Sequence, residues 1–218
     1  MTLSRHLKDP GSAITHFIGF LAAAVTLPVI MAHAANTGAG KAAVASVCIF
    51  MVSMMLLYGA STTYHTLDLK GHAATVLKRT DHLMIFVLIA GSYTPFCVNV
   101  LDAQTGKVML TAVWLFAVVG MVIKFFWVYC PKWVSSVIYI AMGWLCLFAF
   151  PQFYRGLSTA AFVWLLAGGL LYSAGGIIYA LKCVSFNSRH PYFGNHEVFH
   201  LFVLGGSRCH FISAWLIF

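Results

Sequence analysis

The chain has 218 residues, 61% of them hydrophobic and only 8% charged, with a mean hydropathy of +0.88. So few charges cannot clothe a folded surface in water, which excludes a soluble globular domain and points to an integral membrane protein. The formal net charge of +8, from 13 Lys and Arg against 5 Asp and Glu, needs no nucleic-acid partner once its distribution along the chain is considered.

A bilayer core about 30 Å thick needs about 20 apolar residues per helical crossing. Seven runs meet that need: Ala13–Ala34, Ala42–Thr66, Asp81–Leu101, Val108–Val128, Trp133–Pro151, Thr159–Leu181 and His196–Phe218. The linkers are too short for an extramembrane domain, so the expected fold is all-α, a single seven-transmembrane-helix domain spanning 1–218. The first run, at about 22 residues, exceeds the apolar core of a signal peptide and is expected to be retained. Arg5, Lys8, Lys70, Lys78, Arg79, Lys124, Lys132, Lys182 and Arg189 fall on the N-terminal side, against Lys41, Lys107 and Arg155 on the other. Basic loops face the cytoplasm, so the N-terminus is expected inside and the C-terminus outside a cell membrane. Anionic inner-leaflet lipid is then the partner of the basic charge. Nothing in the pattern specifies an oligomeric state.

In chain order, helix 1 follows the turn and cap sequence Asp9-Pro10-Gly11-Ser12 and carries His16 in its first turns, where a hydrogen-bonded bundle residue is expected. Helix 2 ends in Ser61-Thr62-Thr63-Tyr64-His65, with Ser61 and His65 four apart on one face. Helix 3 is expected to start right after a basic loop, Lys78-Arg79, with Asp81 and His82 in its first turn; a carboxylate there suits a helix N-terminus in any case. At a helical spacing Asp81, Ser92 and Asn99 share a stripe, expected to face the interior. Pro95 lies within the same crossing, tolerated where Ser, Thr or a neighbouring helix satisfies the freed carbonyl. Helices 4 and 5, with Trp114, Trp127, Trp133 and Trp144, read as walls. Helix 6 carries Gly168-Gly169 and Gly175-Gly176, which permit close backbone packing. The six cysteines, Cys48, Cys97, Cys130, Cys146, Cys183 and Cys209, show no paired spacing and read as small buried hydrophobes.

Helix 7 opens with Asn195-His196-Glu197-Val198-Phe199-His200, Asn195 serving as N-cap. With His196 at zero, His200 falls at about 40°, Ser207 at about 20° and His210 at about 320°, one narrow polar stripe. Such a stripe is costly against lipid and is expected to face inward. Arg208, near mid-membrane, has no evident partner.

Odd helices start inside and even ones finish inside, so His65, Asp81, His196 and His200 are brought to one depth at the cytoplasmic face. Three neutral imidazoles and a water make the open tetrahedral set of a catalytic Zn2+. Asp81 is then placed to take a proton as general base, and Ser61 to hydrogen-bond to it or to a developing oxyanion. His196-Glu197-Val198-Phe199-His200 also spells the H-E-x-x-H of zinc proteases, in which Glu197 would be the base and Asp81 a helix cap. That reading needs a further ligand downstream, where only His210 is available. Glu197, His210 and His16 stand as accessory candidates.

The chain resembles the haemolysin III family, within the progestin and adiponectin Q receptor group and related to the alkaline ceramidases. The resemblance rests on Ser61-Thr62-Thr63-Tyr64-His65, Asp81-His82, Gly91-Ser92-Tyr93-Thr94-Pro95-Phe96, Ala141-Met142-Gly143-Trp144, the helix 7 histidine motif, and Gly205-Gly206-Ser207 with Cys209-His210-Phe211. It implies seven helices, zinc held by His65, His196 and His200 near the cytoplasmic side, and roles for Asp81 and Ser61 just outside the ligand shell. Two departures stand out: a glutamate usual early in helix 1 is absent around Asp9 to Thr15, and Arg208 replaces a small or apolar residue. The functional expectation is a zinc-dependent hydrolase acting on a lipid amide or ester that enters from the bilayer. The alternative is a non-enzymatic sensor or regulator of membrane state, or a cytolytic protein, with structural zinc. Against a pore, the polar residues gather at one end rather than along a transmembrane face.

Overall fold

A computed structural model describes residues 7–181 and 193–218; Arg5, Lys182, Cys183, Arg189 and Pro191 lie outside the described residues. The described residues contain no strand and form seven helical rods. These are α1 (Pro10–Asn36), α2 (Lys41–Thr66), α3 (Gly71–Asn99), α4 (Ala103–Phe126), a composite rod, α7 (Thr159–Leu181) and α8 (Asn195–Trp215). The composite rod joins α5 (Lys132–Gly143), a 3-10 segment (Trp144–Ala149) and α6 (Phe150–Gly156). All the rods before α8 are long and apolar enough to cross a membrane. The 21-residue α8 is long enough but more polar, carrying Glu197, Arg208 and three histidines.

The expectation of an unbroken fifth helix is overturned by chemistry at its far end. Pro151 has no N–H to return to the Leu147 carbonyl, so the α ladder cannot run through that turn, whereas the first turn of a new helix accepts proline. Tyr93 of α3 inserts its hydroxyl into the break, donating to the Gly143 carbonyl and accepting the Cys146 N–H at 3.0 Å. A second boundary moves further. α3 begins at Gly71, whose φ of +61° suits glycine, so Lys78 and Arg79 lie inside the helix rather than in a loop. Asp81 becomes its eleventh residue, about 15 Å from the start, and the helix-cap account of that carboxylate falls.

Packing closes the rods into a ring, α1 against α2, α2 against α3, α5 against α7, α7 against α8 and α8 back onto α1, while α4 lies outside on α3. Gly168 and Gly175 allow the α7–α8 contact: a methyl at either would run into His210 or Phe202. Inside the ring is a cavity that reaches from His16 and Ser61 to Trp144 and His210. α5 lines it through Ser136, Tyr139 and Ile140 rather than merely walling the bundle, and α4 does not line it. Of the α3 stripe, Asp81 and Ser92 reach the cavity. Asn99 does not; its amide donates to the Ser46 hydroxyl and to the Pro95 carbonyl.

Candidate metal centre

His65 occupies the last turn of α2, and α8 presents His196 and His200 one turn apart from its first residues onward. The start of α8 is fixed by Glu197: one carboxylate oxygen accepts the Gly194 N–H at 2.8 Å, the other the Ser12 hydroxyl at 2.7 Å. Gly194, not Asn195, is therefore the N-cap residue, and the acid compensates the positive end of the helix. Because Ser12 belongs to the first turn of α1, the same carboxylate ties α8 to α1.

The three imidazoles converge. Their ligand atoms all lie within 4.8 Å of one another, and the Nε2 atoms of His65 and His196 are 3.1 Å apart. Two nitrogens bound to one tetrahedral zinc at about 2.0–2.1 Å would sit about 3.3 Å apart, close to that separation. A carboxylate can only accept: Asp9 Oδ2 lies 2.9 Å from His65 Nδ1, which places the ring proton there and leaves Nε2 as a lone pair. The Asp9 N–H in turn donates to the His65 carbonyl at 2.9 Å. The His65 hydrogen bond holds the Asp9 carboxyl below its ordinary range, partial burial opposing and the Lys8 charge assisting. The donor set, three buried or half-buried imidazoles with one oriented by a carboxylate, fits a nitrogen-preferring metal ion such as zinc.

Asp81 and Ser61 line the cavity beside His196 and His200. Asp81 is 7% exposed, and its carboxylate lies 3.7 Å from His82 Nδ1, a nitrogen committed at 2.8 Å to the Lys78 carbonyl. The Ser61 hydroxyl is buried and lies beside the Asp81 carboxylate, within hydrogen-bonding range of it. His16 departs from expectation. Instead of hydrogen bonding, it stacks flat on His200, ring centroids 3.7 Å apart and planes 6° apart, with neither nitrogen bonded among the described residues. His210 also faces the cavity but lies outside the triad, against Tyr172 and Phe96. Ser207 bridges the Tyr58 and Tyr172 hydroxyls at 2.6 and 2.7 Å. Arg208 is exposed on the outer face of α8.

The residues that sequence reasoning missed are Asp9 and Ser12, both read there as parts of a helix-entry turn. Asp9 meets a partner 56 residues away, a pairing that no local pattern announces.

The profile of a family described as haemolysin-III related matches residues 5–211, nearly the whole chain. The chain belongs to the haemolysin III-related family. Among its relatives are a hemolysin-3 homolog of Bacillus subtilis (strain 168), 41% identical over 94% of this chain and 91% of its own, and hemolysin-3 of Bacillus cereus, 38% identical over 94% and 89%. The monocyte to macrophage differentiation factor of Homo sapiens is more distant, 27% identical over 77% of this chain and 68% of its own. Family and apolar rods together make this haemolysin III-related chain a multi-pass membrane protein, in bacteria one of the cell membrane.

Proposed function

We propose that this haemolysin III-related protein is a zinc-dependent hydrolase that cleaves a lipid amide or ester within the bilayer. The supporting observation is that a buried carboxylate and a buried hydroxyl beside it share one cavity with two members of the three-histidine cluster. His65, His196 and His200 would hold the ion, which when bound supplies a Lewis acid and lowers the pKa of water toward 7. Asp81, on α3, takes the proton from the attacking water and returns it to the departing amine or alcohol. Ser61, beside Asp81, donates to the carbonyl oxygen as charge gathers there. Glu197 is not the base, since protein donors occupy both its oxygens. The aliphatic and aromatic cavity wall suits an acyl chain.

The same reading takes the chain as one domain with seven crossings, α8 the seventh, the N-terminus in the cytoplasm and the C-terminus outside. Membrane lipids are its partners and no nucleic acid is involved. Arg208 lies about 18 Å along α8 from His196, within reach of the far headgroups for a snorkelling side chain. The name hemolysin-3 of the Bacillus cereus relative attaches cytolysis to that protein and motivates the rival reading, a cytolytic or sensing protein with structural metal. Release of free fatty acid from a panel of lipid amides and esters, by purified wild type and by Asp81→Asn in liposomes, separates the two. Turnover by wild type that collapses in the variant is expected; no turnover on a broad panel overturns the hydrolase.

A further inference from the structure

Cys130 lies in the connection between α4 and α5, half-buried, at the end of the bundle where α3 begins: the neighbouring Tyr129 hydroxyl meets Thr75 at 3.0 Å, and Lys78 sits over its ring. In the last turn of α4, Lys124 is only 4% exposed. Its Nζ donates to the Ser135 hydroxyl at 2.6 Å and to Cys130 Sγ at 3.1 Å, and Ser135 Oγ is 3.2 Å from the same sulfur.

A buried ammonium requires a counter-charge, and the chain has only five acids. Asp9 pairs with His65 and Lys8, and Asp81 lies beside His82. Asp102 caps α4, Glu197 binds Ser12 and Gly194, and Asp68 is exposed beyond the end of α2. No carboxylate is left for Lys124. The donor count agrees. An ammonium has three donors and no acceptor, and a serine that accepts from it has one proton left to give. Both can point at Sγ, and a sulfur receiving two such hydrogen bonds is stabilised as the anion.

We propose that Cys130 is a nucleophilic thiol paired with the buried Lys124 ammonium, and a modification site for soft electrophiles and peroxides. Burial by itself pushes this thiol up, but hydrogen bonds from Ser135 and Lys124 and the charges of Lys124 and Lys78 outweigh it and hold it below the ordinary range. Lys124 from α4 and Ser135 from α5 contact it, and Lys78 from α3, Tyr139 from α5 and Tyr179 from α7 lie within electrostatic range. With a peroxide, the sulfur attacks one oxygen and the O–O bond breaks. The leaving hydroxide or alkoxide takes a proton from solvent, the sulfur is oxidised by two electrons to sulfenic acid, and the peroxide is reduced to water or alcohol. Ser135 adjoins Ser136, which lines the cavity, so rearrangement of this network acts on the cavity wall.

The test is the alkylation rate of each cysteine in the detergent-solubilised full chain, using limiting iodoacetamide across a pH series and peptide mass spectrometry. Cys130 should show a midpoint at least about one pH unit below the ~8.5 of an ordinary thiol, and peroxide with a dimedone trap should label it first. Lys124→Met should raise the midpoint by at least about one unit and slow alkylation at neutral pH about tenfold, while Lys124→Arg keeps most of the shift. A wild-type midpoint at or above ~8.5, or no movement in Lys124→Met, overturns the proposal. If Lys124→Met does not fold, Ser135→Ala and Lys78→Gln take its place: an upward shift in either supports the pairing, and no shift in both overturns it.

Discussion

The two halves of α8 carry histidines on the same inward stripe, yet they are chemically unlike. At its start, His196 and His200 meet His65 from α2, whose ring is in turn held by Asp9. Ten residues later, His210 enters the same cavity among Phe96, Tyr172 and the cleft above Gly168, and among the described residues it belongs to no cluster of three possible ligands. A shared helix face is thus necessary for a metal site but not sufficient. What distinguishes the halves is whether another element delivers a lone pair to the same point.

The largest test removes ligands. Replacing His65, His196 or His200 by Ala should release about one equivalent of bound zinc per chain, read by elemental analysis after dialysis, and lower the melting temperature, because an ion bound only by the folded state adds to its stability. His210→Ala should keep its metal. Loss of metal from His210→Ala but not from His65→Ala would erase the contrast and favour a protease-like arrangement.

Next comes use of the metal as against its retention. Asp81→Asn should bind zinc as wild type does but lose about 10²–10⁴-fold in lipid hydrolysis. A smaller effect is expected from the group behind His65. Asp9→Asn should weaken zinc about 10- to 100-fold in competition with a chelator, with the fold intact, since it releases the ring from its fixed tautomer and orientation. Asp9 also has a pH signature. Its folded-state pKa is depressed, so its contribution to stability is complete above the ordinary carboxylate value of ~3.9 and fades as pH falls through the lower folded value. Acid unfolding of Asp9→Asn should lack that component. The smallest change is Glu197→Gln, which keeps a cap acceptor but loses the charge at the α8 N-terminus: about 0.3–1 kcal/mol in stability, with turnover within a few fold of wild type. A collapse of turnover in Glu197→Gln with Asp81→Asn unaffected would reverse the assignment of the base.

Much of the candidate centre was legible in one dimension. His196 and His200 share a face by helical periodicity alone, and the alternating direction of consecutive rods brings His65 and Asp81 to the same end. Asp9 was hidden in a turn signature, since a carboxylate before a helix has a sufficient local explanation. Lys124 and Cys130 were misread for a related reason. A lysine near a helix end reads as a solvated loop charge and a lone cysteine as filler, and only their 3.1 Å approach shows that each answers the other.

The sequence by itself determined the membrane class, the approximate positions of the helical runs and the inward stripe of α8, because hydropathy and the 3.6-residue repeat are properties of contiguous residues. The true start of α3, the break in the fifth rod, the stacking of His16 on His200 and the partners of Asp9, Glu197 and Lys124 were decided only by tertiary structure. They depend on which groups from distant segments meet where water is excluded, and there a polar atom must bond to whatever the fold brings within reach.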